Sequence, residues 1–112
     1  MKKIEAIIRP HQMEAVKSEL LAFGVHGLTI YEVKGFGRQK GHKEMYRGNE
    51  YIVDLLPKLK MEVLASEEQV DQIVKIIEKA AHTGNIGDGK IFVTQLEDLV
   101  RIRTGEHGPD AI

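Results

Sequence analysis

Three observations predict an α+β fold with the element order β-α-β-β-α-β. Four short segments alternate apolar with polar residues or carry β-branched runs, two longer ones hold apolar residues at helical spacing, and each helical segment lies between strands. Two βαβ halves of this kind make a ferredoxin-like sandwich, a four-stranded sheet with both helices on one face.

In chain order, Ile4, Ala6 and Ile8 alternate with Glu5, Ile7 and Arg9, which is the period of a strand. Pro10 suits the first turn of a helix. That helix has its stripe at Met13, Val16, Leu20 and Leu21 and its stop at Gly24. A second strand runs from about Leu28 to Val33 and includes the β-branched Thr29, Ile30 and Val33. In a third, Leu59, Met61, Val63 and Ala65 alternate with Lys58, Lys60, Glu62 and Leu64, and Pro57 is acceptable at its start. Ser66 and Gln69 read as a capping box for a second helix with Val70, Ile73, Val74, Ile77 and Ala81 on one face. Ile91-Phe92-Val93 opens the fourth strand, and the chain trails off through Gly105, Gly108 and Pro109.

The 112 residues fit one domain, and a hydrophobic fraction of 42% is enough for a core. A formal charge of −1 gives no global field toward nucleic acid or a membrane surface. The absence of cysteine excludes disulfides and thiolate chemistry. No apolar run approaches the roughly 20 residues that span a bilayer, and the first residues carry no signal-peptide core, so the cytoplasm is expected.

Two helices cover one face of the sheet only. Ile7, Val33 and Leu64 fall out of phase with the helix-facing residues. Either they are scattered exposed groups, or the second face is apolar and buried against other subunits; the second is expected, because an open apolar face is a liability. Between strands two and three, residues 37–55 form a long polar segment with Gly37, Gly41, Gly48 and seven formal charges, read as a loop without helical or strand period. Loops beyond about 12–15 residues are usually functional or disordered, and this one is expected to engage a partner.

Three segments bear chemistry. Gly84-Asn85-Ile86-Gly87-Asp88-Gly89-Lys90 fits G-x-x-x-x-G-K, but Ile91 replaces the Mg²⁺-binding Ser/Thr and a strand follows in place of a helix, so a P-loop NTPase is rejected. Its glycines still let backbone N–H groups approach an anion, and Lys90 adds a charge for phosphate; taken alone, the segment is also what a flexible turn after a helix looks like. Arg101-Ile102-Arg103, if extended, puts both guanidiniums on one face, an arrangement suited to phosphate and equally to a solvated edge. Tyr46 and Tyr51 in the polar segment have no core to hold them and read as interface anchors or modification targets. The five histidines lack close ligand spacing, and no nucleophile is paired with a base, which argues against a metal-binding trimer and against a small phosphohydrolase or phosphotransferase.

GFGRQKGH with YRGNEY, LLPKLKMEV, TGNIGDGKIFV and RIRTGEHGPDAI together resemble the PII nitrogen-regulatory signalling family from Met1 to Ile112. The resemblance implies a single PII-type domain over 1–112, assembled as a homotrimer with nucleotide sites between subunits. It has a long regulatory loop at about 37–55, a phosphate-binding loop at about 82–90 and a C-terminal loop at about 102–112. ATP or ADP phosphates would meet Arg38, Gly87, Asp88, Gly89 and Lys90, with Arg101, Ile102 and Arg103 across the cleft. Thr29 and Leu64 would contact adenine, and Gly35 and Gly37 would shape the wall. Gln39 would hold Mg²⁺. 2-Oxoglutarate would chelate that ion near Gln39, Lys40 and Gly87, with Lys58 on a carboxylate. Tyr51 matches a tyrosine that is nucleotidylylated in many members, whereas Asn49 departs from relatives with a phosphorylated serine, and His107-Gly108-Pro109 replaces a more acidic tail. The implied role is a sensor and not an enzyme. Its implied partners are an ammonium transporter, glutamine synthetase or other nitrogen-assimilation proteins, and a uridylyl- or adenylyltransferase. Nucleic acid is not expected, and a membrane only through a partner.

Overall fold

A computed structural model of the chain describes residues 1–37 and 42–112, with the backbone alone described at 42–46 and 50–53. Its strands are β1 (Lys2–Ile8), β2 (Thr29–Gly35), β3 (His42–Tyr46), β4 (Asn49–Val53), β5 (Leu56–Ala65) and β6 (Lys90–Gln95), and its helices are α1 (Met13–Phe23) and α2 (Val70–Ala81). Four strands form one antiparallel sheet in the order β2-β5-β1-β6. With α1 and α2 between β1 and β2 and between β5 and β6, this is the expected ferredoxin-like order.

The core lies between the sheet and the helices. Ile4, Ala6 and Ile8 sit opposite Val63, Met61 and Leu59, so one face of the pleat is apolar across both strands. Against it pack Val16 and Leu20 of α1 and Ile73, Ile77 and Ala81 of α2. Ile77 is fully buried, and its truncation to alanine should cost about 2–5 kcal/mol. The expected stripe on α1 holds except at Leu21, which is half exposed. The helix closes in a Schellman motif, with Gly24 N–H donating to the Leu21 carbonyl (3.1 Å) and Val25 N–H to that of Leu20 (3.0 Å).

Three local expectations are corrected. Ser66 precedes a 3₁₀ turn, Glu67–Gln69, and makes no side-chain cap; its hydroxyl donates to Gln69 Oε1 at 3.2 Å, while Gln69 N–H donates to the Ser66 carbonyl at 3.1 Å. The polar segment read as having no strand period contains a two-stranded antiparallel ribbon, β3 with β4. Arg47 and Gly48, both at positive φ, form its two-residue connection, the geometry of a type I′ hairpin. The ribbon lies outside the four-stranded sheet.

The third correction concerns the sheet face away from the helices, which is of mixed character and carries charge as well as apolar groups. Ile7, Val33, Leu64 and Phe92 share it with Lys3, Glu5, Lys58, Lys60, Glu62, Lys90, Tyr31 and Thr94. Glu5, only 6% exposed, lies 2.8 Å from Lys60 and 3.2 Å from Lys3. The Lys60 ammonium stands 5.4 Å from the Tyr31 ring centre. The bond from Lys60 holds the Glu5 carboxyl below its ordinary value despite the opposing effect of burial.

Candidate functional site

The turn between α2 and β6 is organised by Asp88. Its carboxylate accepts from the Thr83 hydroxyl, from Thr83 N–H and Gly84 N–H (2.8 Å each) and from Arg9 Nε (3.0 Å). Arg9, at the end of β1, also donates from Nη2 to the Ile86 carbonyl at 2.9 Å. These bonds, with the Thr83 hydroxyl foremost, hold the Asp88 carboxyl far below the usual carboxylate range. Asp88 therefore serves the turn with its carboxylate.

Gly89 brings the turn against the sheet. At a φ of 101°, a Cβ on this residue would lie 1.6 Å from the Ile7 carbonyl oxygen, so no other residue fits without moving backbone. The next residue, Lys90, pairs with Ile7 and starts β6 with an exposed side chain. From β5, Lys58 Nζ donates to the Gly87 carbonyl at 2.7 Å. Burial first, then the charge of Arg9, push the Lys58 amine below its ordinary value, partly opposed by Asp88. Gly35, Gly37, Lys58 and residues 87–90 thereby line one cleft of about 540 Å³, with Ile7 as its floor. Glycine N–H groups, two amines and an apolar floor are a combination that takes an anionic ligand with a flat or apolar part.

The other predicted residues gather elsewhere. Thr29 and Leu64 line a second cleft of about 440 Å³ with Tyr31, Glu62, Ala111 and Ile112. Lys58 and Leu64 are six residues apart on β5, so these two lining residues lie roughly 20 Å apart on one subunit. Arg101 belongs to the second group, because its Nη2 donates to the Ile112 main-chain oxygen at 3.0 Å and its Nη1 lies 3.1 Å from Glu106. The expected extended run through Arg101 and Arg103 is corrected: residues 102–104 form a turn, Gly105 N–H donates to the Arg101 carbonyl, and Arg101 N–H to that of Glu106. The tight closure of this small hairpin, held also by a Val100–His107 bridge, overrides strand geometry. Ile102 is 98% exposed and Arg103 is exposed beside it.

The first 106 residues match the family described as Nitrogen regulatory protein P-II. Over all 112 residues, covering the whole of both chains, the sequence is 60% identical to the nitrogen regulatory protein P-II of Azospirillum brasilense. Over the same full length it is 58% identical to that of Pasteurella multocida and 57% to that of Rhizobium meliloti (strain 1021). The chain belongs to the P-II family.

Membership places the chain in nitrogen regulatory signalling, among relatives named as regulatory proteins. Of the residues that the P-II resemblance singled out, Arg38, Gln39 and Lys40 lie outside the described residues, and Tyr51 lies in β4, where the backbone alone is described. Among the described residues no cluster of three acidic or histidine side chains could hold a metal, and no helix is long and apolar enough to cross a membrane. Sequence reasoning missed Arg9, Thr83 and Ile7. A threonine just past the helix and an aspartate inside the glycine turn were a legible signal for the Thr83–Asp88 bond, but nothing local marks Arg9, 79 residues from its partner.

Proposed function

We propose that the protein is a nitrogen- and energy-status sensor, and not an enzyme, that binds ATP or ADP and, with Mg²⁺ and ATP, 2-oxoglutarate. The observation that carries this reading is the cleft in which Lys58 and Lys90 flank the glycine turn of residues 87–89. Phosphate oxygens would take the turn's N–H groups and Lys90. Thr29 and Leu64 line one cleft, with Arg101 tied to Ile112 of its lining, and Lys58 and Lys90 line another, a division that favours a homotrimer in which each site combines the two halves from neighbouring subunits. This argument replaces the one from an apolar sheet face.

Mg²⁺ would arrive with ATP. With no acidic cluster among the described residues, its oxygen ligands would be phosphates, the 2-oxo acid and the Gln39 amide, donors that suit a hard cation. Lys58 would exchange the Gly87 carbonyl for a carboxylate of 2-oxoglutarate, with Lys40 and Gly87 beside it. Ligands joining this cleft to the segment that follows Gly37 would select among conformations of residues 37–55, through differential affinity for them. That segment, with Tyr51 as a modification site, would regulate an ammonium transporter, glutamine synthetase or other nitrogen-assimilation proteins, and would meet a uridylyl- or adenylyltransferase. The setting is the cytoplasm, with membrane contact only through a partner.

Calorimetric titration tests the reading. ATP–Mg²⁺ and 2-oxoglutarate should tighten each other by the same factor, typically about 5–150-fold, whereas ADP should show little coupling. ATP affinity independent of 2-oxoglutarate would leave an adenylate-only sensor, and absence of any nucleotide binding would overturn the proposal. Light scattering that gives a stable monomer at micromolar concentration would overturn the shared cleft.

A further inference from the structure

Arg9 does not itself line the first cleft, yet it is tied to the turn that forms it. Its Nε meets Asp88 Oδ1 at 3.0 Å and its Nη2 meets the Ile86 carbonyl at 2.9 Å, so one planar guanidinium fixes both the hub of the turn and the residue just before Gly87. On the other side, Thr83 bonds Asp88 through both its hydroxyl and its N–H, and the same hydroxyl accepts from Asn85 N–H at 3.2 Å. Arg9, Asp88 and Thr83 form a clasp that spans the turn from its first residues to its last.

We infer that Arg9 and Thr83, acting through Asp88, are positioning residues that hold residues 84–89 in their ligand-ready conformation. The inference rests on the nucleotide reading above and adds to it two residues that do not line the cleft. Three glycines at positive φ, Gly84, Gly87 and Gly89, leave this turn many conformations of similar energy unless something outside it selects one. N–H groups that must converge on a single anion bind it weakly when the turn has first to be ordered, because apparent affinity falls by the fraction of chains already in the competent state. Arg9 supplies that selection from the residue just after β1, an interior strand of the sheet. It is mostly buried, 15% exposed, so its geometry is held by packing as well as by its two acceptors.

Arg9 also carries a charge near the cleft, and the experiment separates charge from position. ATP affinity is measured calorimetrically on the full chain for wild type, Arg9→Lys, Arg9→Gln and Thr83→Val, well below the unfolding midpoint of each. Lysine keeps the charge but lacks the fork that reaches both Asp88 and Ile86, and Thr83→Val changes no charge at all. All three should bind ATP roughly tenfold or more weakly. In the free proteins, amide hydrogens of Thr83 and Gly84 should exchange faster while those of β1 and β5 keep their protection, a local effect that a general loss of stability would not produce. Wild-type affinity in Arg9→Lys or Thr83→Val, or unchanged exchange at Thr83 and Gly84, would overturn the inference and leave the nucleotide reading standing. Failure of the wild type to bind ATP would overturn both.

Discussion

Lys58 Nζ donates to the Gly87 carbonyl oxygen at 2.7 Å, joining the start of β5 to the glycine turn across the mouth of the cleft. A neutral carbonyl is a weaker partner for an ammonium than a carboxylate, so an acidic ligand entering here has a bond to take over. Lys58→Ala should abolish 2-oxoglutarate binding and leave ATP binding largely intact. Titration of ATP–Mg²⁺ against the variant checks both halves, and retained coupling to 2-oxoglutarate would contradict the assignment.

The same amine predicts a pH dependence. Burial and Arg9 lower the Lys58 pKa, so the ammonium loses its proton at a lower pH than an ordinary lysine. An ammonium–carboxylate bond to 2-oxoglutarate is present below that pKa and lost as pH rises through it. Affinity for 2-oxoglutarate should therefore fall on the alkaline side, beginning below the ordinary lysine value of 10.5. An affinity that is flat across the alkaline range would count against Lys58 as the carboxylate partner.

Asp88 governs the acid side. Its carboxyl is depressed in the folded protein relative to the ordinary value of 3.8, so the folded state binds fewer protons than the unfolded chain. The stabilisation is complete above that ordinary value and is lost as pH falls below it. Denaturant midpoints taken from neutral down to about pH 3 should decline in the wild type, and the acid limb should be shallower in Asp88→Asn. Identical acid limbs would show that the carboxylate contributes nothing in the fold.

Gly89→Ala should be among the most damaging small substitutions in the chain. A left-handed conformation costs a residue with a side chain about 1–2 kcal/mol, and overpacking adds typically 1–3 kcal/mol, so roughly 2–5 kcal/mol is expected in urea unfolding. The added methyl would meet the Ile7 backbone, which belongs to a strand paired on both sides and cannot step aside cheaply. A loss below about 1 kcal/mol would mean that the turn lifts away from β1 without strain.

Arg101 predicts a gain. It is paired with Glu106 at 3.1 Å, and a nucleotide phosphate would have to share that guanidinium with a like charge. Removing the competitor in Glu106→Gln should tighten ATP roughly 1.5- to 5-fold, the span of an exposed ion pair. Weaker ATP binding in this variant would mean that Glu106 orients Arg101 for its ligand.

Most of the fold was legible because each main strand and helix has one buried face. Ile4, Ala6 and Ile8, or Ile73 and Ile77, announce their elements through the period at which they are buried. The β3–β4 ribbon stands apart from the four-stranded sheet, and its local signal was the Arg47-Gly48 turn. The charged sheet face was misread for a related reason. Periodicity showed that Ile7, Val33 and Leu64 point away from the helices, but the lysines and glutamates that accompany them were written just as plainly in β1 and β5. For the candidate site, Gly87 to Lys90 were legible as a motif. The grouping of Lys58 with them is a tertiary fact, and so is the bond from Arg9 to Asp88.

The separation of the two clefts along β5 has a genetic consequence. In a ring of three proposed here, each complete site would draw the Lys90 half from one chain and the Thr29, Leu64 and Arg101 half from the next. Chains crippled in opposite halves, Lys90→Ala and Arg101→Ala, would each form rings without a working site. Mixed in one ring, in either proportion, they would rebuild one intact site, because going once around such a ring there is a single place where a chain with a sound first half is followed by a chain with a sound second half. Two defective alleles expressed together should then complement each other.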